Sequence, residues 1–419
     1  MIMSELLEAA ALTDLVAVDL RRREVKPTGR RGLPAECVLR CAVLKQYRQL
    51  SYEELAFYLS DSMSFRAFAR LPVNQFPKKS ALHKTISAIR SQTWEAINRH
   101  LLKTAATDRI ETGRVIRLDS TVTLCPIHQP TDNSLLWDAM RLMVRLLRRV
   151  QTVPGVPKMH WRNRSRQARK HNRAIEYSRG QTRRLHHYKV LINACRASQQ
   201  DLYLVETKLA GLLAAERWLT QYRTDMPLIC RIIEQAERRV LQGQQVPSPQ
   251  KLVSLFEPHT DIIRKGGRDV FYGHKLTLTT GRSGLILDMI IEDGNPADAE
   301  RFLPILDRHI ELYNKPPRQM AADGAYASNG NLQQAKSKGV RDVAFHKKRG
   351  FAIEDMVKSG WVYRKLRNFR AGIEADISCL KRAYGLDRCT WKGLDRFKAY
   401  VWSSVLAYNL ALMARLKSA

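Results

Sequence analysis

Apolar residues recur at helical spacing through residues 33–110, and this part of the chain is therefore predicted to form several short helices. In the segment LSYEELAFYL, Ser51 stands three residues before Glu54, which is the spacing of a capping box, and Leu55 and Leu59 follow at i,i+4. The helices that come after this segment are consistent with a helix-turn-helix-like module and equally with a plain helical bundle.

The pattern changes to short β-branched and apolar runs at 114–124, and it does so again after residue 250. The run RVIRLDSTVTL predicts a strand in a sheet core, after which the chain is helical to about residue 245. KLVSLF, VFYGHKLTLTT and LILDMIIED predict further strands, the last two joined by GRSG as a hairpin turn. An amphipathic helix, a strand in RQMAADGAY, a short helix, a strand in VRDVAFHKK and a long helix complete the order.

This order predicts the α/β class, with a mixed sheet, flanking helices and a helical insertion after the first strand. We expect an N-terminal helical domain at 1–110, the sheet domain at 111–131 and 251–386, the basic insertion at 132–250, and a C-terminal helix packing on the sheet domain at 387–419. The apolar run at 399–416 contains Asn409 and Arg415, which favours a buried helix over a membrane span.

The net charge of the chain indicates what kind of partner it binds. The chain has 71 Lys and Arg against 40 Asp and Glu, a net charge of +31, and such a balance favours nucleic acid. Residues 141–190 hold 15 Lys and Arg and one acid, so we favour a phosphate-contacting surface over a solvated helix face. The bases expected to contact the DNA backbone there are Arg162, Arg164, Arg166, Arg169 and Lys170.

Cysteine usage and the N-terminus suggest the compartment. The 7 cysteines form no Cys-x2-Cys pair, so neither a disulfide framework nor a zinc site is predicted. The N-terminus has acids before its apolar run and bases after it, the reverse of a secretory signal. We therefore expect a cytoplasmic protein.

Three carboxylates stand where strands and a helix could bring them together. Asp119 follows an apolar run in RVIRLDS, Asp323 follows another in MAADGAY, and Glu374 lies on the last long helix between Arg370 and Lys381. An acid at the core end of a strand is poorly hydrated unless a cation compensates it, and Mg²⁺ takes oxygen ligands. The three acids could hold two Mg²⁺ ions about 3.5–4 Å apart for in-line attack on a phosphodiester. The alternative for Glu374 is a surface ion pair with Arg370.

The bases near Glu374 suit the same chemistry. At helical spacing, Arg367, Arg370 and Lys381 share one stripe with Glu374, beside an apolar stripe that can pack on a sheet. Cations at those positions can grip phosphates on either side of a scissile bond. Further candidates for DNA contact, at the end of the last predicted strand, are Lys347 and Lys348.

These residues resemble a known family, the bacterial insertion-sequence transposases of the DDE class. Arg370-x3-Glu374-x6-Lys381 is similar to their C-terminal signature, and ADGAYAS and IRLDSTV are similar to the segments with their two aspartates. QLSYEELAFYL resembles their N-terminal helical module. The resemblance covers most of residues 33–415, except about 138–245. The family often has tyrosine three residues before the arginine, where this chain has Arg367, whose guanidinium can also stack or contact phosphate.

The resemblance implies a ribonuclease-H-like catalytic domain in which Asp119, Asp323 and Glu374 bind two Mg²⁺ ions, with Mn²⁺ as a substitute. It implies DNA contacts by Arg370 and Lys381 and a DNA-binding N-terminal domain. In several relatives an insertion falls between the second aspartate and the glutamate, which only 50 residues separate here. We read the basic segment 132–250 of this chain as an insertion domain that clamps DNA. The expected partners are double-stranded DNA, as terminal inverted repeats and target, and a second copy in a homodimer, with no membrane.

The implied function is a transposase that cleaves the 3′ ends of its element and joins them to target DNA at the bacterial nucleoid. Two alternatives are a ribonuclease-H-like nuclease that cuts without joining and a nucleic-acid-binding protein without catalysis. In PTDNS, Asp132 resembles a family motif and is also a good helix N-cap, and we favour the cap.

Overall fold

The computed structural model describes residues 2–22, 32–156, 158–265, 269–346 and 350–418. The chain forms two compact units. The first unit contains Met1–Pro126 and Ile263–Ala419, and the second unit contains Ile127–Ile262.

Short helices open the first unit, and those from residue 35 to residue 107 lie where the spacing predicts them. They are α1 Ile2–Glu5, α2 Ala10–Arg21, α3 Ala35–Tyr47, α4 Tyr52–Asp61, α5 Met63–Ala69, α6 Lys79–Ile86 and α7 Ser91–Thr107. The capping box of α4 is confirmed, because the Glu54 amide donates to Ser51 Oγ at 3.1 Å and the Ser51 amide donates to Glu54 Oε2 at 2.7 Å. The side chains of Leu55 and Leu59 are fully buried in the core.

The second unit is helical and has a hydrophobic core of its own. Its helices are α8 Asp132–Val150, α9 Ser165–Tyr177, α10 Gln181–Leu209 and α11 Glu216–Ala236. The expectation that Asp132 caps α8 is wrong by one residue. Thr131 has extended backbone and forms a capping box with Ser134, which makes Asp132 the first helical residue, and its carboxylate accepts from Arg239 at 2.7 Å.

Six strands form one sheet within the described part of the chain. They are β1 Val115–Leu124, β2 Asp261–Lys265, β3 Asp269–Thr280, β4 Ile286–Ile291, β5 Gln319–Ala322 and β6 Asp342–Phe345. The order is β2-β3-β1-β5-β6, and β4 also pairs with β3. β1 runs antiparallel to β3 and parallel to β5, and β5 runs parallel to β6. The mixed α/β class and the β3–β4 hairpin are thus confirmed.

One predicted strand is absent from the described residues, and one observed strand escaped prediction. KLVSLF is irregular, because the Leu252 amide donates to Gln235 Oε1 at 2.9 Å and its carbonyl accepts from Gln235 Nε2 at 3.4 Å. These side-chain bonds stand where ladder bonds would be. The segment DIIRK forms β2 instead.

The remaining helices pack around the sheet and on the N-terminal helices. They are α12 Asp298–Tyr313, α13 Asn329–Ser337, α14 Ile353–Met356, α15 Gly360–Tyr384 and α16 Leu394–Ser418. α15 packs along β1, β5 and β6, while α16 packs against α3 and α7. The buried Asn409 of α16 is bonded to Asn98 and to the Ile286 backbone, which satisfies its amide inside the core. No helix in the described ranges is long and apolar enough to cross a membrane.

Candidate active site

The register of two neighbouring strands places two of the predicted acids side by side. β1 and β5 are parallel, with Leu118 paired to Ala322 at the last position of the ladder. Asp119 and Asp323 are the next residue of each strand path, so the two backbones bring these acids to adjacent positions. Sequence order alone separates them by more than two hundred residues.

Asp119 is largely enclosed, with a side chain only 15% exposed. Its Oδ1 accepts the Ser120 amide at 2.8 Å, and its Oδ2 accepts Arg370 Nη2 at 2.7 Å. Burial raises the pKa of the Asp119 carboxyl, while the positive charges of Arg370 and Lys265 act to lower it. The net shift is upward, so the carboxylate would gain from more positive charge nearby.

Glu374 reaches the same place from α15. The apolar stripe of this helix is buried as predicted through Leu366, Ile373 and Leu380, which turns Glu374 to the open side. The Glu374 side chain is 67% exposed, and its Oε1 accepts Arg370 Nη1 at 3.0 Å. The i,i+4 ion pair weighed from the sequence is therefore present, but the same guanidinium also holds Asp119.

Arg370 lies between the acids, and its side chain is 11% exposed. Each terminal nitrogen serves a different carboxylate, Asp119 and Glu374. A cation already stands at the point where these two acids converge. A phosphate that approached Arg370 would compete with these two carboxylates for its guanidinium.

The three acids open into one cavity of about 750 Å³ in the first unit, which we call the carboxylate cavity. Its lining combines acids with cations and hydroxyl groups, a composition suited to a charged, hydrated ligand. The lining residues are Asp119, Ser120, Thr121, Lys265, Asp323, Arg370, Glu374, Ile377, Ser378, Lys381, Arg382 and Asp387.

The other predicted DNA contacts are distributed in different ways. Lys381 lines the carboxylate cavity and lies 3.6 Å from Asp387, whereas Arg367 is exposed on α15 and is not in the lining. The two strand-end bases, Lys347 and Lys348, lie outside the described residues.

In the second unit, four of the five predicted bases are exposed: Arg162, Arg166, Arg169 and Lys170. Arg164 differs, since its side chain is 18% exposed and forms an ion pair with Asp201. Its positive charge is largely neutralised by Asp201 within the helical unit.

Sequence reasoning missed Lys265. Its ammonium donates to the Ser120 carbonyl at 2.9 Å and lines the carboxylate cavity. Lys265 ends β2, the strand that the apolar pattern did not indicate, so no sequence signal set it apart from other basic residues.

The donor set of the cavity fits a hard divalent cation. Carboxylate oxygens are the ligands that Mg²⁺ and Mn²⁺ prefer, and a buried acid with a raised pKa is one that a cation stabilises in its charged form. The basic rim supplies partners for phosphate oxygens.

Comparison with protein families now adds an identity to this geometry. Residues 246–410 match the family described as Transposase DDE domain, and residues 2–92 match the Transposase domain (DUF772). These domains are typical of insertion-sequence transposases, and the chain belongs to the transposases of the DDE class. Searches of curated proteins and of solved structures gave no match.

The family sets the general activity. A transposase acts on DNA, a DDE domain implies an enzyme of the nucleotidyl-transfer type, and the family typically uses divalent metal ions. Asp323 and Glu374 fall inside the matched DDE range, while Asp119 lies before that range in the sequence.

Proposed function

We propose that this transposase binds the terminal inverted repeats of its element, cleaves their 3′ ends in a Mg²⁺-dependent reaction and joins those ends to target DNA. The observation that carries the proposal is the convergence of Asp119, Asp323 and Glu374 on one cation-rimmed cavity. Three separate segments, β1, the turn after β5 and α15, supply these acids.

In this proposal, Asp119, Asp323 and Glu374 would hold two Mg²⁺ ions, and Mn²⁺ could substitute. Ions bound there would supply the activation of a water or a 3′-hydroxyl and the stabilisation of the leaving oxygen of a phosphodiester. Two of the acids directly follow or lie on neighbouring strands of the sheet, and the third lies on α15. Lys265, Lys381 and Arg382 are placed to bind the phosphates that flank the reacting one.

We propose two roles for Arg370, one in the metal-free site and one when DNA is bound. A divalent ion and the Arg370 guanidinium would compete for Asp119 and Glu374, because both are cations that bind the same two carboxylates. Loading of the site is therefore expected to loosen Arg370, which could then turn to a DNA phosphate.

We further propose that the sheet is of the ribonuclease-H-like kind. Three antiparallel strands, β4, β3 and β1, adjoin the parallel strands β5 and β6, and the acids lie on the central strand, next to its parallel neighbour, and on the helix behind them. The exposed bases of α9 and of the segment before it support a DNA clamp in the second unit. The N-terminal helices would bind the repeats, and two copies would hold two element ends at the nucleoid.

The test uses Asp119→Asn, Asp323→Asn and Glu374→Gln in the full chain. Each is expected to bind repeat DNA like the unsubstituted protein and to lose Mg²⁺-dependent cleavage. Asp307→Asn is the matched control, because Asp307 is an exposed acid on α12 paired with Lys338. Full cleavage by any of the three variants would remove that residue from the site.

A labelled 3′-hydroxyl end separates joining from cutting. Labelled DNA joined to target supports the transposase, whereas cleaved but unjoined products would assign a nuclease. Salt-sensitive binding without any Mg²⁺-dependent product would assign a binding protein.

A further inference from the structure

Two Arg–Asp pairs of opposite direction connect β1 to α15. Arg117 and Asp119 are two residues apart on β1, so their side chains leave the same side of the sheet. Asp119 accepts from Arg370, and Arg117 Nη2 donates to Asp376 Oδ2 at 2.6 Å. The strand and the helix therefore each contribute one cation and one acid to their shared interface.

Arg117 is buried and bonds to three different partners. Its Nε donates to Thr280 Oγ1 at 2.6 Å, and its Nη1 donates to the Phe369 carbonyl at 2.8 Å. The guanidinium carbon also lies 4.7 Å from the centre of the Phe369 ring. One side chain thus ties β3 to two successive turns of α15.

Gly372 makes this close approach possible. A Cβ at this position would lie 2.0 Å from Arg117 Nη1. Glycine inside a helix costs about 1 kcal/mol relative to alanine, so its presence in α15 needs a reason. The guanidinium of Arg117 occupies the space that a side chain would take.

Asp376 is in turn fixed from behind. The Tyr408 hydroxyl of α16 lies 3.4 Å from Asp376 Oδ1 and donates to the Gly284 carbonyl at 3.1 Å. The Arg117–Asp376 pair is largely buried on both sides. None of these groups lines the carboxylate cavity.

We propose that Arg117, Gly372 and Asp376 are positioning residues of the active site. They set the rotation and height of α15 on β1, and so the distance of Glu374 from Asp119. The inference rests on the proposed function, because it matters only if those acids bind one ligand together.

The geometry makes this position sensitive. One residue along a helix is a rotation of about 100° and a rise of about 1.5 Å, whereas a metal site tolerates misplacement of only about 0.5 Å. Residues that orient metal ligands without touching the metal typically change its affinity by about 10–100-fold. Glu374 is mostly exposed and has few contacts of its own to hold it in place.

The experiment measures Mn²⁺ binding to the full chain by calorimetry, together with thermal unfolding. Asp376→Asn and Gly372→Ala are each expected to weaken Mn²⁺ binding by about 10–100-fold. The Cβ of Gly372→Ala would meet the end of the Arg117 side chain rather than backbone, so Arg117 should shift while the fold survives. Asp288→Asn is the control, since Asp288 is a buried acid paired with Arg308 away from α15, and it should lower stability without changing Mn²⁺ affinity.

The outcomes separate the two proposals. Normal Mn²⁺ affinity in Asp376→Asn and Gly372→Ala, with binding lost in Asp119→Asn, would overturn the positioning role and leave the proposed function standing. Normal affinity in Asp119→Asn would instead overturn the proposed function. If Asp376→Asn does not fold, Asp376→Glu and Gly372→Ala decide the question by the same measurement.

Discussion

Replacing Arg370 by methionine should make the metal-free protein less stable and make it bind divalent ions more tightly. The guanidinium stands between Asp119 and Glu374, so an incoming ion would compete with it for both carboxylates. Methionine keeps much of the apolar stem and removes the charge. The two effects have one cause, the loss of a cation that competes for the same carboxylates.

The magnitude follows from the exposure of each pair. A charged hydrogen bond contributes about 1.5–3 kcal/mol, and Arg370 and Asp119 are largely enclosed, so this pair should be worth about 2 kcal/mol. The bond to Glu374 adds little, because Glu374 is 67% exposed and solvent screens it. Removing about 2 kcal/mol of competition corresponds to about 30-fold tighter metal binding.

The assay compares unfolding in a chelator with calorimetric titration of Mn²⁺ at pH 8, an alkaline pH chosen because burial raises the pKa of Asp119. Arg308→Met is the matched control, because Arg308 also bridges two acids, Asp288 and Glu95. It should lose stability and bind Mn²⁺ unchanged. If Arg370→Met binds Mn²⁺ no more tightly than the unsubstituted protein does, Arg370 does not compete with the ion for these carboxylates.

Three other predictions concern pH, DNA binding and the second unit. Burial lowers the pKa of His309 to about 4, and its Nε2 donates to the Gly113 carbonyl at 3.0 Å. Because the pKa is lower in the folded state, the free energy of unfolding should fall by about 3 kcal/mol as the pH is lowered from about 6.5 to about 4. Urea unfolding at these two pH values should show a smaller fall for His309→Leu than for the unsubstituted protein. The triple replacement of Arg166, Arg169 and Lys170 by alanine removes three exposed bases. It should reduce the slope of log affinity for DNA against log salt concentration by about 2.7. An unchanged slope would exclude these bases from the DNA contact. Thr131→Ala should cost about 1 kcal/mol, seen as faster hydrogen exchange in the first turn of α8 but not of α4.

Local patterns predicted much of the fold. The capping box at Ser51, the strand around Asp119 and the stripe of α15 each depend on a few neighbouring residues, and each is present as expected. KLVSLF failed because a short apolar run cannot show whether its backbone will meet another strand or a side chain such as Gln235. DIIRK was missed for the opposite reason, since its two central apolar residues are too few for a pattern.

The composition of the candidate site was easier to predict than its connections. Helical spacing put Arg370 and Glu374 on one stripe, but only the packing of α15 on β1 shows that Arg370 is buried against Asp119. No pattern in the sequence set Arg117 apart from the other polar residues of its strand, and its three partners come from parts of the chain far away in sequence. Arg164 likewise gave no sign of Asp201. Long-range ion pairs depend on which residues the fold makes neighbours, and spacing along the chain does not contain that information.

The pairing of β1 with β5 also limits which insertions and deletions β1 can tolerate during evolution. Deleting one residue before Asp119 in β1 would turn every later side chain of the strand to the opposite side of the sheet. Deleting two would restore the side but shift Asp119 by about 7 Å along its neighbour. Lineages that keep activity should therefore accumulate substitutions in this strand and confine length variation to the connection after it, where a whole helical unit has been accommodated.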